Sequence, residues 1–266
     1  MRLEDGIQSA ARYDLRCGDA IVELGNIIKE GYSENVGMVL ADPPYGVTRN
    51  KFDNKIPMAN LWSLLTEIAA PNTPVVLFSQ QPFTSELIAH SMGKPLEFKT
   101  ELIWEKKSPS GHLNAKIYPM KAHENILVFC KGKPRYYPQY KPSETPVTSH
   151  GGYNGTPNYG KFDPQRKDFS ERDFHYPRDV LLAEDFPNVK GRGQLHPQQK
   201  PVELLRYLIR TYTNEGETVL DFSMGSGSTG VAAAMEHRNF IGIEIEESYY
   251  NIARERIGKA YEEANP

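Results

Sequence analysis

Two hydrophobic patterns alternate along the chain. The first is a short unbroken apolar run bounded by turn residues: VGMVLA before DPPYG, VVLFS after Pro74, and TVLD before a glycine-rich stretch. Runs of this length describe strands buried on both faces. The second has helical spacing. Leu61, Leu64, Leu65 and Ile68 share one face of MANLWSLLTEIAA, PFTSELIAHSMG predicts a shorter helix stopped near Gly93, HPQQKPVELLRYLIRTYT carries Pro201 near its start, and EESYYNIARERIGKAYEEA is amphipathic. Strands alternating with helices predict an α/β fold with a doubly wound, mostly parallel sheet. FKTELIWEKK and HENILVFCKGK are two further strands, expected as an antiparallel pair at the sheet edge.

The pattern dissolves from Pro134 to Gln194, a stretch rich in Pro, Gly, Tyr, Lys and Arg. It is too long for an ordinary connection, so it is either an inserted recognition element or a disordered segment. Charge separates along the same line. Lys106 to Lys200 holds sixteen Lys and Arg against nine Asp and Glu, a balance of +7 in a chain of net −3, so the remainder carries −10. A basic middle in an acidic chain is a local field of the kind that meets phosphates. KGKPRYYPQYKP interleaves Lys131, Lys133, Arg135 and Lys141 with Tyr136, Tyr137 and Tyr140, and Tyr153, Tyr159, Phe162, Arg166, Lys167, Arg172 and Arg178 follow. Cations with stacking aromatics fit DNA, and a solvated Tyr-rich surface insertion fits the same composition.

Other classes are excluded. No run of eighteen apolar residues exists, and the first residues have no signal-peptide core, so a cytoplasmic protein without a membrane span is expected. Cys17 and Cys130 form no C-x-x-C pair, which argues against a zinc site or disulfide framework, and both are expected as ordinary buried thiols.

Chemistry concentrates at two strand ends. In ADPPYG, Pro43 and Pro44 stop the strand, because proline fixes φ and donates no N–H, and they hold Asp42 and Tyr45 where open α/β sheets bind ligands. In GSGSTG, Gly225, Gly227 and Gly230 fit G-x-G-x-x-G between a strand and an Ala-rich helix, and Glu244 closes the next strand 19 residues after Gly225, placed to bind ribose hydroxyls. The same glycines also allow close helix–sheet packing. Only 22 residues follow Glu244, too few for the rest of the sheet, so the remaining strands come from the N-terminal half. The glycine loop and the acidic turn are then expected on neighbouring strands beside one cleft.

With these motifs in this order, the chain resembles the β class of S-adenosylmethionine-dependent DNA amino-methyltransferases. ADPPYG looks like their catalytic motif, HPQQKPVELL like the segment before the cofactor strand, VLDFSMGSGSTG like the cofactor loop, NFIGIEI like the ribose strand, and RCGDAIVEL like the segment whose acid reads the cofactor adenine. The likeness covers most of residues 13–131 and 195–258 and implies a permuted Rossmann-like domain. Residues 1–131 would be its catalytic half, 132–194 an inserted target-recognition region, and 195–266 its cofactor-binding half. It implies Asp42, Pro43, Pro44 and Tyr45 as catalytic, and Asp19, Lys200, Asp221, Phe222, Ser223, Gly225, Gly227 and Glu244 as cofactor-binding. Lys131, Lys133, Arg135, Tyr136 and Tyr137 would be DNA contacts. Asp19 fits a helix N-cap equally well, and Lys200 a solvated first-turn lysine. Two positions depart from the family: Ser223 stands at the usual Phe, and Gln198 at the usual Thr of the lysine motif.

The resemblance implies methyl transfer to adenine N6 of a flipped DNA base. N4-methylation of cytosine uses the same geometry, but that subgroup usually has Ser where this chain has Asp42. An RNA substrate, a catalytically silent DNA-binding protein and a nicotinamide oxidoreductase are the rival readings. A homodimer and a cognate restriction nuclease are partners by the same analogy.

Overall fold

The computed structural model describes residues 11–46, 56–147, 172–189, 191, 195 and 199–265. Tyr153, Tyr159, Phe162, Arg166 and Lys167, singled out above, lie outside them, as do His196, Pro197 and Gln198 of the lysine motif. The chain forms two compact units, one from residues 1–137 and 179–266 and one from Pro138–Arg178.

The larger unit is built on an eight-stranded sheet. Its strands are β1 (Tyr13–Cys17), β2 (Val36–Ala41), β3 (Val75–Ser79), β4 (Glu97–Ser110), β5 (Lys121–Cys130), β8 (Val180–Leu181), β9 (Thr218–Asp221) and β10 (Asn239–Glu244), in the spatial order β1-β10-β9-β2-β3-β5-β4-β8. Strands β1, β10, β9, β2 and β3 are parallel, and β5 pairs antiparallel with both β3 and β4. Helices α1 (Ala20–Lys29), α2 (Met58–Ile68) and α3 (Phe83–Ser91) bury their apolar residues in one core with Val39, Leu77, Leu127 and Ile241. Helices α4 (Val202–Tyr212), α5 (Ser228–Met235) and α6 (Glu247–Ala264) do so in another with Met38, Val76, Val128 and Phe240. Neighbouring residues of one strand thus feed opposite cores, as the pleat requires. That is why the central strands read as unbroken apolar runs.

The order places a topological switch between β9 and β2. From β9 the chain crosses through α5 to β10 on one side; from β2 it crosses through α2 to β3 on the other. At such a switch the two connections diverge and leave a crevice at the carboxyl ends of the strands. The Asp42 turn follows β2, the glycine loop follows β9, and these strands are paired directly. Neighbouring strands beside one cleft is what the permuted order of motifs predicts.

The smaller unit contains a two-stranded antiparallel ribbon, β6 (Lys141–Val147) and β7 (Arg172–His175). Tyr140, Phe174 and Tyr176 cluster on it, with ring centroids 4.5 to 5.7 Å apart. Among the described residues no helix is long and apolar enough to cross a membrane. Of the two thiols expected to be buried, Cys130 is, but Cys17 is exposed at the end of β1, an edge strand.

Candidate active site

The carboxyl end of β2 holds a chain of four charges. Tyr45 Oη donates to Asp42 Oδ1 at 2.5 Å, and Lys200 Nζ donates to Asp42 Oδ2. Lys200 also pairs with Glu124 Oε2 at 3.1 Å, and Lys106 holds Glu124 Oε1. Lys200 lies just before α4 and Glu124 in β5, so three separate segments converge on Asp42. Lys200 Nζ sits 4.9 Å from the centre of the Phe78 ring, which shields it from water. Two lysines balance two carboxylates, so the cluster is neutral when all four are ionised.

Burial pushes Lys200 toward the neutral form, but Asp42 and Glu124 outweigh it and hold its pKa above the ordinary value. Glu124 is likewise pushed up by burial and pulled further down by Lys200 and Lys106, so it stays a carboxylate. Asp42 is raised: burial leads, Glu124 adds to it, and Lys200 and the Tyr45 hydroxyl oppose. Lys200 is therefore no solvated first-turn lysine. It is buried, and its partners are Asp42 and Glu124. Tyr45 is buried too, stacked on Phe83 with centroids 5.6 Å apart. A carboxylate offers about four lone-pair positions. With one taken by Tyr45 and one by Lys200, Asp42 can still accept from an amine.

The cofactor expectations fall on the neighbouring strand ends. Asp221 ends β9 and is buried; burial lifts its carboxyl from 3.8 to about 7, against hydrogen bonds from Thr229 and the Ser223 N–H. Glu244 ends β10 and accepts from the N–H groups of Gly225 (2.8 Å) and Glu246 (2.9 Å), which hold it across the mouth of the loop. Its pKa is raised by burial and opposed by those bonds. Gly227 has φ 82° and Gly225 φ 52°, the left-handed region that glycine enters without strain. A Cβ on Gly227 or Gly230 would come within 3 Å of Ile257 in α6, so these two glycines serve close packing as well. Phe222 is buried in the same core as Tyr45.

Two hydroxyls at this loop, Ser223 Oγ and Ser228 Oγ, are buried without a hydrogen-bond partner among the described residues. Buried polar atoms are normally paired. They stand beside the first turn of α5, whose leading N–H groups have no intrahelical acceptor. Orphaned donors, two carboxylates at strand ends and a glycine turn fit a polar nucleoside-bearing cofactor.

Asp19 caps α1, with Oδ1 accepting from Ile21 N (2.9 Å) and Val22 N (3.2 Å). The structure thus shows the capping alternative, and the cap leaves Oδ2 unused. The residue stands on the same rim as Glu244, since Gly18 N donates to Glu244 O at 2.9 Å.

The residues expected as DNA contacts, Lys131, Lys133, Arg135, Tyr136 and Tyr137, follow the end of β5. Strand β5 runs antiparallel to β3, so it delivers Lys131 to the amino-terminal rim, where Lys131 O accepts from Asn72 N at 2.9 Å. Arg135 binds Gly37 O at 2.7 Å together with Glu217, at the starts of β2 and β9. Tyr137 accepts from Asn214 Nδ2 at 2.7 Å, and Tyr136 packs toward Tyr212 at the end of α4. From Gly37 to Asp42 is five residues of strand, roughly 17 Å. Lys131, Lys133, Arg135, Tyr136 and Tyr137 therefore border the rim opposite Asp42. The sequence reading also missed Glu124 and Lys106. An acid opening the apolar run ENILVFC was the available signal for Glu124.

Comparison with known proteins places this geometry in a family. A DNA adenine methyltransferase of Escherichia coli, YhdJ, is 28% identical over 260 residues, covering 91% of this chain and 82% of its own. The type II methyltransferase M2.DpnII of Streptococcus pneumoniae is 29% identical, covering 84% and 83%. The M1.HpyAVI–SAM complex shares the fold, with a TM-score of 0.59, 24% identity, and coverage of 92% of this chain and 99% of that one. The DNA methylase family model matches residues 36–255, from the first residue of β2 to the middle of α6, and the chain belongs to that family.

Proposed function

We propose that this DNA methylase transfers a methyl group from S-adenosylmethionine to N6 of an adenine held outside the helix stack. The observation that carries the reading is the pairing of β2 with β9, which sets the Asp42 turn beside the glycine loop. The relative named as an adenine methyltransferase and the full carboxylate at Asp42 favour adenine over cytosine.

S-adenosylmethionine supplies a methyl carbon activated by a sulfonium, and Glu244, Asp221, Ser223, Ser228 and the Gly225–Gly227 turn are the residues that would hold it. The exocyclic amine of adenine is a poor nucleophile, because its lone pair is delocalised into the ring. The Asp42 carboxylate and the Pro43 carbonyl accept its two hydrogens, which turns the lone pair outward and stabilises the charge developing on nitrogen. Pro44 fixes that carbonyl. The Tyr45 ring offers a stacking wall for the base, and its hydroxyl orients Asp42. The base must leave the duplex, since its amine is otherwise inside the stack.

The test is product analysis. Unmethylated DNA is treated with labelled cofactor, digested to nucleosides and resolved by mass. Label in N6-methyladenine supports the reading. Label in N4-methylcytosine overturns the choice of base and leaves the geometry standing; no label on any base from folded protein overturns both. Asp42→Ala should lower turnover about 10²–10³-fold, the loss expected for one preorganised acceptor. For partners, the type II name of one relative supports a restriction nuclease acting on the same site, and the family resemblance supports a homodimer. Sedimentation of the purified protein checks the dimer.

A further inference from the structure

Asp42 and Lys200 already form a neutral pair, yet the structure adds a second one beside it. Glu124 is 7% exposed and reaches Lys200 from β5 at 3.1 Å, while Lys106 in β4 holds its other oxygen. Each cation also lies over a ring. Lys200 Nζ is 4.9 Å from the centre of Phe78, and Lys106 Nζ is 5.4 Å from that of Trp104. Trp104 is buried and stands opposite Glu124 in the ladder. Lys106, Glu124, Lys200 and Asp42 thus form one line of alternating charge with aromatic walls.

Stability does not account for the added pair. Taking two ions out of water costs about as much as their attraction returns, and packed apolar side chains in such places do as well or better. Charge balance does not account for it either, since Asp42 and Lys200 balance alone. What Glu124 changes is the division of Lys200. An ammonium carries one charge on three N–H donors. Left to Asp42, it would answer that carboxylate fully. Glu124 meets Lys200 as a second anion and draws part of the charge to itself. The groups that act on Asp42 come from four elements. Lys200, before α4, and the Tyr45 hydroxyl, in the same turn, favour its anion. Glu124 in β5 opposes it. Asp221 at the end of β9 is itself lifted to about 7 and is partly neutral there. Glu124 is held ionised by two lysines, so it is the lasting negative charge beside Asp42.

Resting on the methyltransferase reading of Asp42, we propose that Glu124 is a positioning residue: it competes with Asp42 for Lys200 and so keeps Asp42 a strong acceptor for the amine of the target base. Lys106 keeps Glu124 ionised and in place. Glu124 acts through Lys200 and is assigned no contact with the reacting atoms. Its effect is felt as positive charge develops on the amine nitrogen, because a carboxylate less fully answered by Lys200 stabilises that charge more.

The test is Glu124→Gln, which keeps the shape and removes the charge. Lys200 then falls to Asp42 alone. The acid limb of kcat/KM for methylation of DNA should move to lower pH by about 1 pH unit. The kcat on the plateau should fall about 3–10-fold with KM for DNA little changed. A part in packing alone would leave the limb in place. Carbon-13 NMR of protein labelled at the aspartate carboxyls reads the same group without substrate, with Asp42→Asn assigning the signal. The Asp42 midpoint should fall by the same amount. If Glu124→Gln melts early, the double variant with Lys106→Met removes the lysine that would be left unpaired, and the same fall is expected. A midpoint or a limb that stays in place or rises, in folded protein, overturns the proposal. Wild-type protein that methylates no DNA overturns the methylation reading instead, and the NMR midpoint alone then decides whether Glu124 governs Asp42.

Discussion

The two rims of the central sheet use the same residue types to different ends. At the amino-terminal rim, charges close on partners within the fold. Arg206 and Arg210 both hold Glu236 Oε1 at 2.6 Å, and Arg238 donates to Thr213 Oγ1 at 3.0 Å and Thr213 O at 2.8 Å. Arg135 joins Gly37 and Glu217, with only its Nε left over. At the carboxyl rim the accounts stay open. Asp42 and Asp221 are raised by burial, the Ser223 and Ser228 hydroxyls lack partners among the described residues, and Glu124 Oε2 meets Lys200 as an ion pair without an aligned hydrogen bond. Closed polar groups stabilise a fold, whereas buried and underpaired ones are held ready for something not yet bound.

The largest test of this contrast is Lys200. Its removal leaves Asp42 and Glu124 facing each other without the cation they share. Lys200→Met should lower turnover about 10²-fold and raise the pKa of Asp42 further, since Lys200 is the main group opposing its burial. The carboxylate is the active form, so the acid limb of the kcat/KM profile should move to higher pH. Lys200→Arg should restore part of both. An unmoved profile in a folded Lys200→Met would show that the lysine serves only packing. Smaller is Glu244→Ala, which removes the carboxylate spanning Gly225 and Glu246. Cofactor affinity by calorimetry should weaken by roughly 1–3 kcal/mol, and wild-type affinity would remove Glu244 from the cofactor site.

Asp221 supplies a test that reads pH alone. Its folded pKa of about 7 exceeds the ordinary 3.8, so folding favours the protonated acid. The sign is opposite to that of a salt-bridged carboxylate: stability is complete below about pH 4, is lost as pH rises toward 7, and stays reduced above it. Asp221→Asn removes this slope along with part of the bonding to Thr229 and Ser223. Its melting temperature relative to wild type should therefore climb between pH 5 and pH 8, by the equivalent of about 2–3 kcal/mol. A constant difference across that range would mean that Asp221 titrates normally.

The sequence made one rim far more legible than the other. Apolar runs marked β2, β3 and β9, and the prolines after Ala41 and the glycines after Met224 announced the two strand ends that carry chemistry. The direction of β5 relative to β3 was harder to see. An antiparallel pair was readable from the pattern, but parity decides which basic segment faces the site, and parity depends on pairing across residues far apart in the chain. Thus 131–137, rich in Lys, Arg and Tyr, drew attention, and the fold sets it at the amino-terminal rim. The hairpin at 106–123 rises at the carboxyl rim and reads in the sequence only as a link between strands. Glu124, and the pairing of Lys200 with Asp42, were hidden for a related reason. Their meaning comes from meeting across β5, β2 and the approach to α4, and no local spacing records such a meeting.

The smallest expected effect breaks or keeps the contrast most directly. If Arg135 is a brace of the amino-terminal rim, Arg135→Met should cost stability and nothing in DNA binding. The substitution removes the bonds to Gly37 O and Glu217, both partly buried. Glu217 is not abandoned, because its Oε2 still accepts from Asn214 N at 2.9 Å. Gly37 also pins it from the other side, where a Cβ would come within 2.7 Å of the Glu217 Cβ. The loss should therefore stay near 1 kcal/mol by urea unfolding. The slope of log K for duplex DNA against log salt should match wild type, because a residue some 17 Å from the base-receiving turn and bonded within the fold releases no counterion. A slope smaller by about 1 would make Arg135 a phosphate contact and carry the DNA surface round to the rim that the fold has otherwise closed.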